Sequence, residues 1–139
     1  TNLYADGSTP ADNSFPETDG VIFRAADAYL MLAECGLHDS SFAKEGLEAM
    51  DKVRARAGMS TIALTAENVL AERARELYWE NHRRSDLVRF GKFAGPDQLV
   101  WSYKGGIPEG QTIDDHFNLF PIPSNEINSN PNLVQNPGY

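Results

Sequence analysis

The stretch Glu72-Arg-Ala-Arg-Glu-Leu-Tyr-Trp-Glu-Asn-His-Arg-Arg-Ser-Asp-Leu-Val-Arg-Phe-Gly91 decides how this chain is read. Glu72, Glu76 and Glu80 recur every four residues. A helix would set them in one slowly drifting column beside Leu70, Leu77, Tyr78 and Trp79. A carboxylate row thus runs along an apolar face, and Tyr78 and Trp79 are expected in the core with Leu77. Arg83, Arg84, Asp86 and Arg89 follow, placed to fold back on the carboxylates if the chain bends near Asn81 and His82. The spacing predicts one helix from Thr65 to about Asn81 and a short one over Ser85–Phe90.

Two chemistries compete for these charges. In the first, Glu72, Arg73, Glu76, Glu80, Arg83, Asp86 and Arg89 form a structural ion-pair network that sets how one helix meets the next. In the second, Glu72 and Glu76 act as the acid/base pair of a helical glycoside hydrolase. Residues four apart on one helix share a wall, whereas glycosidase carboxyls flank the scissile bond from different sides. Each carboxylate also has an arginine nearby in sequence, which suits an ion pair better than a general acid. No catalytic residue is therefore expected.

Upstream, Phe23, Ala26, Tyr29, Leu30 and Ala33 trace one face of a helix beginning near Arg24, with Gly36 as its stop. Asp39, Ser40 and Ser41 offer capping oxygens for a second helix. Its buried stripe would be Phe42, Gly46, Leu47, Met50, Val53 and Ala57, closed by Gly58. This hairpin of about 34 residues has the length of a tetratricopeptide unit, and Ala33, Gly46 and Ala49 would permit close packing. Thr65 is the expected N-cap of the third helix, with Glu67 in its first turn. The fold class is mainly α: a tetratricopeptide-like hairpin, further helices, long irregular loops and an extended C-terminal tail.

Downstream, Gly95, Pro96, Gly105, Gly106, Pro108 and Gly110 mark a long loop or irregular hairpin, in which Trp101 and Tyr103 alternate across Ser102 as in a strand. Ser124 can cap a single turn through Ile127, and Asn130–Tyr139 is a proline- and asparagine-punctuated tail. Residues 1–21 have loop or linker composition, which leaves residues 22–139 as one helical domain.

With 139 residues and 41% hydrophobic content, the chain can bury one core. A net charge of -8 disfavours sequence-independent binding to nucleic acid or to an anionic membrane surface. No run is long and apolar enough to span a bilayer. The first residue is Thr1 and no signal-peptide pattern follows, so the chain is expected to be a piece of a longer or processed protein. Cys35 is alone and reads as a small packing residue at a helix end. His38, His82 and His116 are dispersed, no nucleophile elbow or phosphate loop is present, and Asp114-Asp115-His116 is a feeble cation candidate. No metal or cofactor is expected.

The ordered blocks Arg24-Ala-Ala-Asp-Ala-Tyr-Leu-Met-Leu-Ala-Glu34, Val53-Arg-Ala-Arg-Ala-Gly58, Glu72-Arg73 with Glu76-Leu77, Arg83 and Asp86-Leu-Val-Arg89, Phe120-Pro-Ile-Pro123 with Glu126-Ile127, and Asn130-Pro-Asn-Leu-Val-Gln-Asn-Pro-Gly-Tyr139 together resemble the C-terminal part of the SusD/RagB family. The resemblance runs over residues 22–139. Cys35 stands where alanine is more usual, and Asp51 where asparagine is common. Such proteins are lipid-anchored at the outer membrane of Bacteroidetes-type bacteria and capture glycans or other nutrients for a SusC-like TonB-dependent transporter. The resemblance implies a tetratricopeptide-like fold, no enzymatic activity, and membrane attachment only through a lipid anchor on a missing N-terminal part. The blocks that carry it are scaffold.

A sugar site needs an exposed flat aromatic flanked by polar groups. Trp101, Tyr103 and Lys104 in the glycine-rich loop are the expected ligand-binding residues, with Tyr4 a weaker alternative. The competing expectation is that Trp101 only plugs the loop onto the helices, leaving this portion as a scaffold that contacts the transporter.

Overall fold

A computed structural model describes residues 22–139. The reading of residues 1–21 as a linker, and that of Tyr4, lie outside the described residues. Five α-helices follow in order: α1 Ala25–His38, α2 Ala43–Arg56, α3 Ala66–Glu76, α4 Arg83–Arg89 and α5 Ser124–Ser129. Single 3-10 turns cover Ser40–Phe42, Lys104–Gly106 and Asp115–Asn118, and there is no strand among the described residues. The fold is mainly α, with α1 and α2 as an antiparallel hairpin, α3 packed on α1 and α4 on α3.

The core forms where the apolar stripes of α1, α2 and α3 meet. Leu30, Ala33, Met50, Val53, Val69 and Leu77 are buried together, with Ala26, Leu37, Leu47, Ile62, Leu64 and Phe90 packed around them. Small residues let the hairpin close tightly: a Cβ on Gly46 would lie 3.0 Å from the Leu32 carbonyl oxygen. Gly36 works in the same way and is not a stop. Helix α1 runs on to His38, and a Cβ at Gly36 would meet the Phe42 carbonyl oxygen at 2.9 Å. The chain reverses at Asp39, whose carboxylate accepts from the Ser41 N–H at 2.9 Å. Thr65 caps α3 by accepting from the Asn68 N–H at 3.2 Å.

Several side chains fall elsewhere than their spacing suggests. The 3-10 turn before α2 moves Phe42 off the buried stripe, and Ala57 lies beyond the last turn, so both are exposed. In α1 the buried face passes through Asp27, which leaves Tyr29 partly exposed and Phe23 90% exposed ahead of the first turn. Cys35 is on the solvent side of α1, not packed.

The largest departure is at the end of α3. The helix stops at Glu76, five residues before the predicted end, and Trp79 and Asn81 take left-handed conformations with φ of 68° and 63°. Those two residues turn the chain into α4, so Tyr78 and Trp79 stand 74% and 85% exposed instead of joining the core. The chain does bend near Asn81 and His82, but the arginines beyond the bend do not fold back on the carboxylate row: Glu72, Glu76 and Glu80 pair with Arg24, Arg54, Arg56 and Arg75 instead.

The C-terminal tail has no helix beyond Ser129 and is held by side chains. Gln135 donates to the Ile122 carbonyl at 2.9 Å and accepts from its N–H at 2.8 Å, replacing a strand partner. The Tyr139 hydroxyl donates to the Leu119 carbonyl at 2.8 Å. Among the described residues, no helix is long and apolar enough to cross a membrane.

Candidate functional site: the ion-pair network and the glycine-rich loop

Charged residues sit inside the helical layer because each finds a partner on a neighbouring helix. Arg73 on α3, 2% exposed, reaches Asp27 on α1 and Asp86 on α4, each at 2.9 Å, although neither contact has the alignment of a hydrogen bond. Arg89 on α4 grips Glu34 on α1 with two hydrogen bonds of 2.5 and 2.8 Å and also holds Asp86 at 2.9 Å. The Glu34 hydrogen bonds come first among the causes that raise the Arg89 pKa above its ordinary value.

The carboxylate column pairs in the other direction, towards α2 and the start of α1. Glu72 accepts from Arg54 and Arg75, each at 2.6 Å, while Glu76 meets Arg24 at 3.0 Å and Arg56 at 2.5 Å. Arg24 also binds Glu80 at 2.7 Å, and its hydrogen bond holds the Glu80 carboxyl below the usual carboxylate range. Glu72 and Glu76 each lie between two guanidiniums, a poor arrangement for a general acid.

Arg83 has no ion-pair partner among the described residues. It is exposed and donates to the Leu70 carbonyl, midway along α3, at 3.2 Å. Arg24, Asp27, Glu34, Arg54, Arg56 and Arg75 also belong to the network and escaped sequence reasoning. The signal for Asp27 and Glu34 was a charge inside an apolar stripe: they lie seven apart on α1, two turns along one face.

In the glycine-rich loop, Gln98 is a cross-brace. Its amide donates to the Gly95 and Ile113 carbonyls at 2.6 and 2.9 Å and accepts from the Ile113 N–H at 2.8 Å. Tyr103 is left-handed, with φ of 66°, and starts the Lys104–Gly106 turn, which replaces the strand-like alternation expected of Trp101 and Tyr103. Gly110 must be glycine. Its φ is +75° and a Cβ would stand 2.1 Å from the Trp101 carbonyl oxygen as the loop doubles back.

Of the three expected ligand-binding residues, two are presented to solvent. Trp101 is 42% and Tyr103 71% exposed. Lys104 is not: it is 3% exposed, and its ammonium donates to the Phe93 and Leu99 carbonyls, each at 2.6 Å. That ammonium also lies 4.6 Å from the centroid of the Trp101 ring, so the lysine props the tryptophan from within. Burial lowers the Lys104 pKa, and its donors are directed inward; it is a loop pin, not a ligand group.

Two cavities lie among the helices: one of about 570 Å³ is lined by Glu34, His38, Phe42, Arg73, Asp86 and Arg89, and one of about 580 Å³ by Ala74, Leu77, Tyr78, Trp79, Asn81 and Arg83. Another of about 510 Å³ lies in the glycine-rich loop, lined by Gly95, Pro96, Gln98, Thr112, Ile113 and Asp115. Trp101 and Tyr103 line none of the three. No cluster of histidine, cysteine and carboxylate side chains suited to a metal occurs among the described residues.

Residues 3–139 match the family model described as the SusD family. The chain belongs to the SusD family. Over 138 residues it is 38% identical to the starch-binding protein SusD of Bacteroides thetaiotaomicron, an alignment covering 99% of this chain and 25% of that protein. The SusD-like protein P25 of Formosa agariphila is 34% identical over 152 residues, covering 99% of this chain and 28% of its own length. The chain thus spans about a quarter of the length of the curated relatives it matches. The SusD-family match takes in the ion-pair network, the glycine-rich loop and the pinned tail alike.

Proposed function

We propose that this chain is the helical C-terminal portion of a SusD-like receptor, with residues 22–139 as its domain. The receptor captures oligosaccharide nutrients at the bacterial outer surface and hands them to a SusC-like TonB-dependent transporter without making or breaking a bond. The observation that carries this reading is the 38% identity to a starch-binding protein along nearly all of the chain. Membrane attachment would be through a lipid anchor on another part of the receptor. The pairing of Glu72 and Glu76 with arginines supports binding rather than hydrolysis.

Within this portion, Trp101 and Tyr103 are the proposed sugar-facing residues. Trp101 is 42% exposed with the Lys104 ammonium against its ring, and Tyr103, 71% exposed, stands at a left-handed turn two residues on. A held aromatic plane can stack on the C–H face of a pyranose with little loss of side-chain entropy. The engagement of Trp101 by Lys104 also favours a second reading, in which the loop is only plugged onto the helices and this portion is a scaffold for the transporter.

Calorimetric titration separates the two readings. The chain and its full-length receptor are titrated with a panel of plant, host and microbial oligosaccharides, then again with Trp101→Ala and Tyr103→Ala. Loss of one stacked ring should weaken binding by roughly 0.5–1.5 kcal/mol, about two- to tenfold. Binding by the full-length receptor alone, unmoved by either substitution, would establish the scaffold reading.

A further inference from the structure

We propose that the cavity of about 580 Å³ at the end of α3 is a subsite for an acidic sugar, a pyranose carrying a carboxylate. Tyr78 and Trp79 supply rings for its C–H face, Asn81 an amide for its hydroxyls and Arg83 a guanidinium for its carboxylate. The volume lies within the roughly 300–1,000 Å³ usual for ligand cavities. Exposed aromatic rings beside polar side chains are what a sugar requires. Tyr78 and Trp79 are 74% and 85% exposed, their rings stand edge to face with 6.1 Å between centroids, and Ala74 and the buried Leu77 complete the apolar lining. Trp79 and Asn81 are held at φ of 68° and 63°, left-handed conformations that cost energy in residues with side chains and gather at ligand clamps.

The charge of the lining selects the ligand. Among the described residues no carboxylate lines this cavity, whereas Glu34 and Asp86 line the cavity of about 570 Å³ and Asp115 that of about 510 Å³. Glu76 and Glu80, on the same stretch of chain, lie outside the lining and are paired with Arg24, Glu76 also with Arg56. Two guanidiniums remain. Arg83, without an ion-pair partner among the described residues, donates from Nη1 to the Leu70 carbonyl, which leaves Nη2 and Nε to a ligand. Arg73 borders both helical cavities; it meets Asp27 through Nη2 and Asp86 through Nε, while its buried Nη1 has no hydrogen-bond partner among the described residues. Arginine only donates, and its planar fork matches a carboxylate. A lining with donors and no acidic acceptor complements an anionic sugar better than a neutral one.

The inference rests on the oligosaccharide capture proposed above and adds a contact separate from Trp101 and Tyr103, which line none of these cavities.

The test is calorimetric titration of the full-length receptor with trigalacturonate and with its methyl ester, the same rings without the charge, beside the neutral members of the oligosaccharide panel. The free acid should bind at least about fivefold more tightly than the ester, and Arg83→Gln should remove that preference. Trp79→Ala should weaken binding of the free acid by about two- to tenfold. Hydroxyl-radical footprinting of the receptor without any substitution is the second measure. Tyr78 and Tyr103 are almost equally exposed, and trigalacturonate should slow the reaction of Tyr78 while leaving Tyr103 unchanged. Equal binding of acid and ester, or a preference that survives Arg83→Gln, would overturn the acidic subsite and leave capture of neutral sugars intact. Binding of no oligosaccharide at all would overturn the capture reading with it. A Tyr78 that reacts far more slowly than Tyr103 before any sugar is added would show the cavity covered by polypeptide, which also overturns the inference.

Discussion

Replacing Arg73 with methionine should destabilise the chain more than any other single change in the charge network. Arg73 is 2% exposed and is shared between Asp27, 7% exposed, and Asp86, 1% exposed. Methionine fills the space of the stem but strands the carboxylates. Asp86 keeps Arg89 at 2.9 Å, whereas Asp27 has no other ion-pair partner among the described residues. The loss is therefore that of one broken buried pair, about 3–5 kcal/mol, rather than two. An unfolding entropy of about 0.3 kcal/mol/K for a chain of this length converts that to a Tm lowered by about 10–17 °C. The assay is a far-UV circular dichroism melt of the chain and its variants. Adding Asp27→Asn to Arg73→Met should restore about half of the loss, because an amide replaces the stranded charge. Arg89→Ala serves as the control: Arg89 is half-exposed, so its pairs are screened by solvent and its loss should cost only about 1 kcal/mol. If Arg73→Met melts within about 2 °C of the parent chain, or above Arg89→Ala, the network is not what joins α1, α3 and α4.

Gly36→Ala should destabilise by about 1–3 kcal/mol, even though alanine is the better helix former, because the new methyl meets the Phe42 carbonyl oxygen at 2.9 Å and Ala43 Cα at 3.2 Å. A chemical denaturation midpoint that rises would show that the α1–α2 turn yields freely. Glu80 gives the chain a pH dependence with a definite sign. Its folded carboxyl lies below the usual range owing to Arg24, so the contribution is complete above the unfolded pKa of about 4.3 and disappears as pH falls through the folded value. Denaturant unfolding of the parent and of Glu80→Gln should therefore show a constant stability gap above about pH 5 that closes in acid. A gap that widens in acid would contradict the Arg24–Glu80 assignment.

Much of the scaffold was legible because helical periodicity and capping are local. Leu30, Ala33, Met50 and Val53 announced the hairpin and Thr65 its successor. Partner choice was not legible. Asp27 and Glu34 are distant in sequence from Arg73 and Arg89, and which charges pair depends on how α1 lies across α3 and α4. At the candidate site the sequence could nominate Trp101, Tyr103 and Lys104 as residue types suited to a sugar. Whether the ammonium faced solvent or the Phe93 and Leu99 carbonyls was a matter of loop closure.

By itself, then, the amino-acid sequence determined which segments are helical, which family they belong to, and that its internal charges must be neutralised by one another. Tertiary structure alone decided that α3 stops at Glu76, that Tyr78 and Trp79 stand outside, and that Lys104 is spent inside its loop. The division has one physical cause. Periodicity and caps act over a single helical turn, whereas the direction a side chain takes at a bend is set by left-handed backbone angles and by partners that only the folded chain brings within reach.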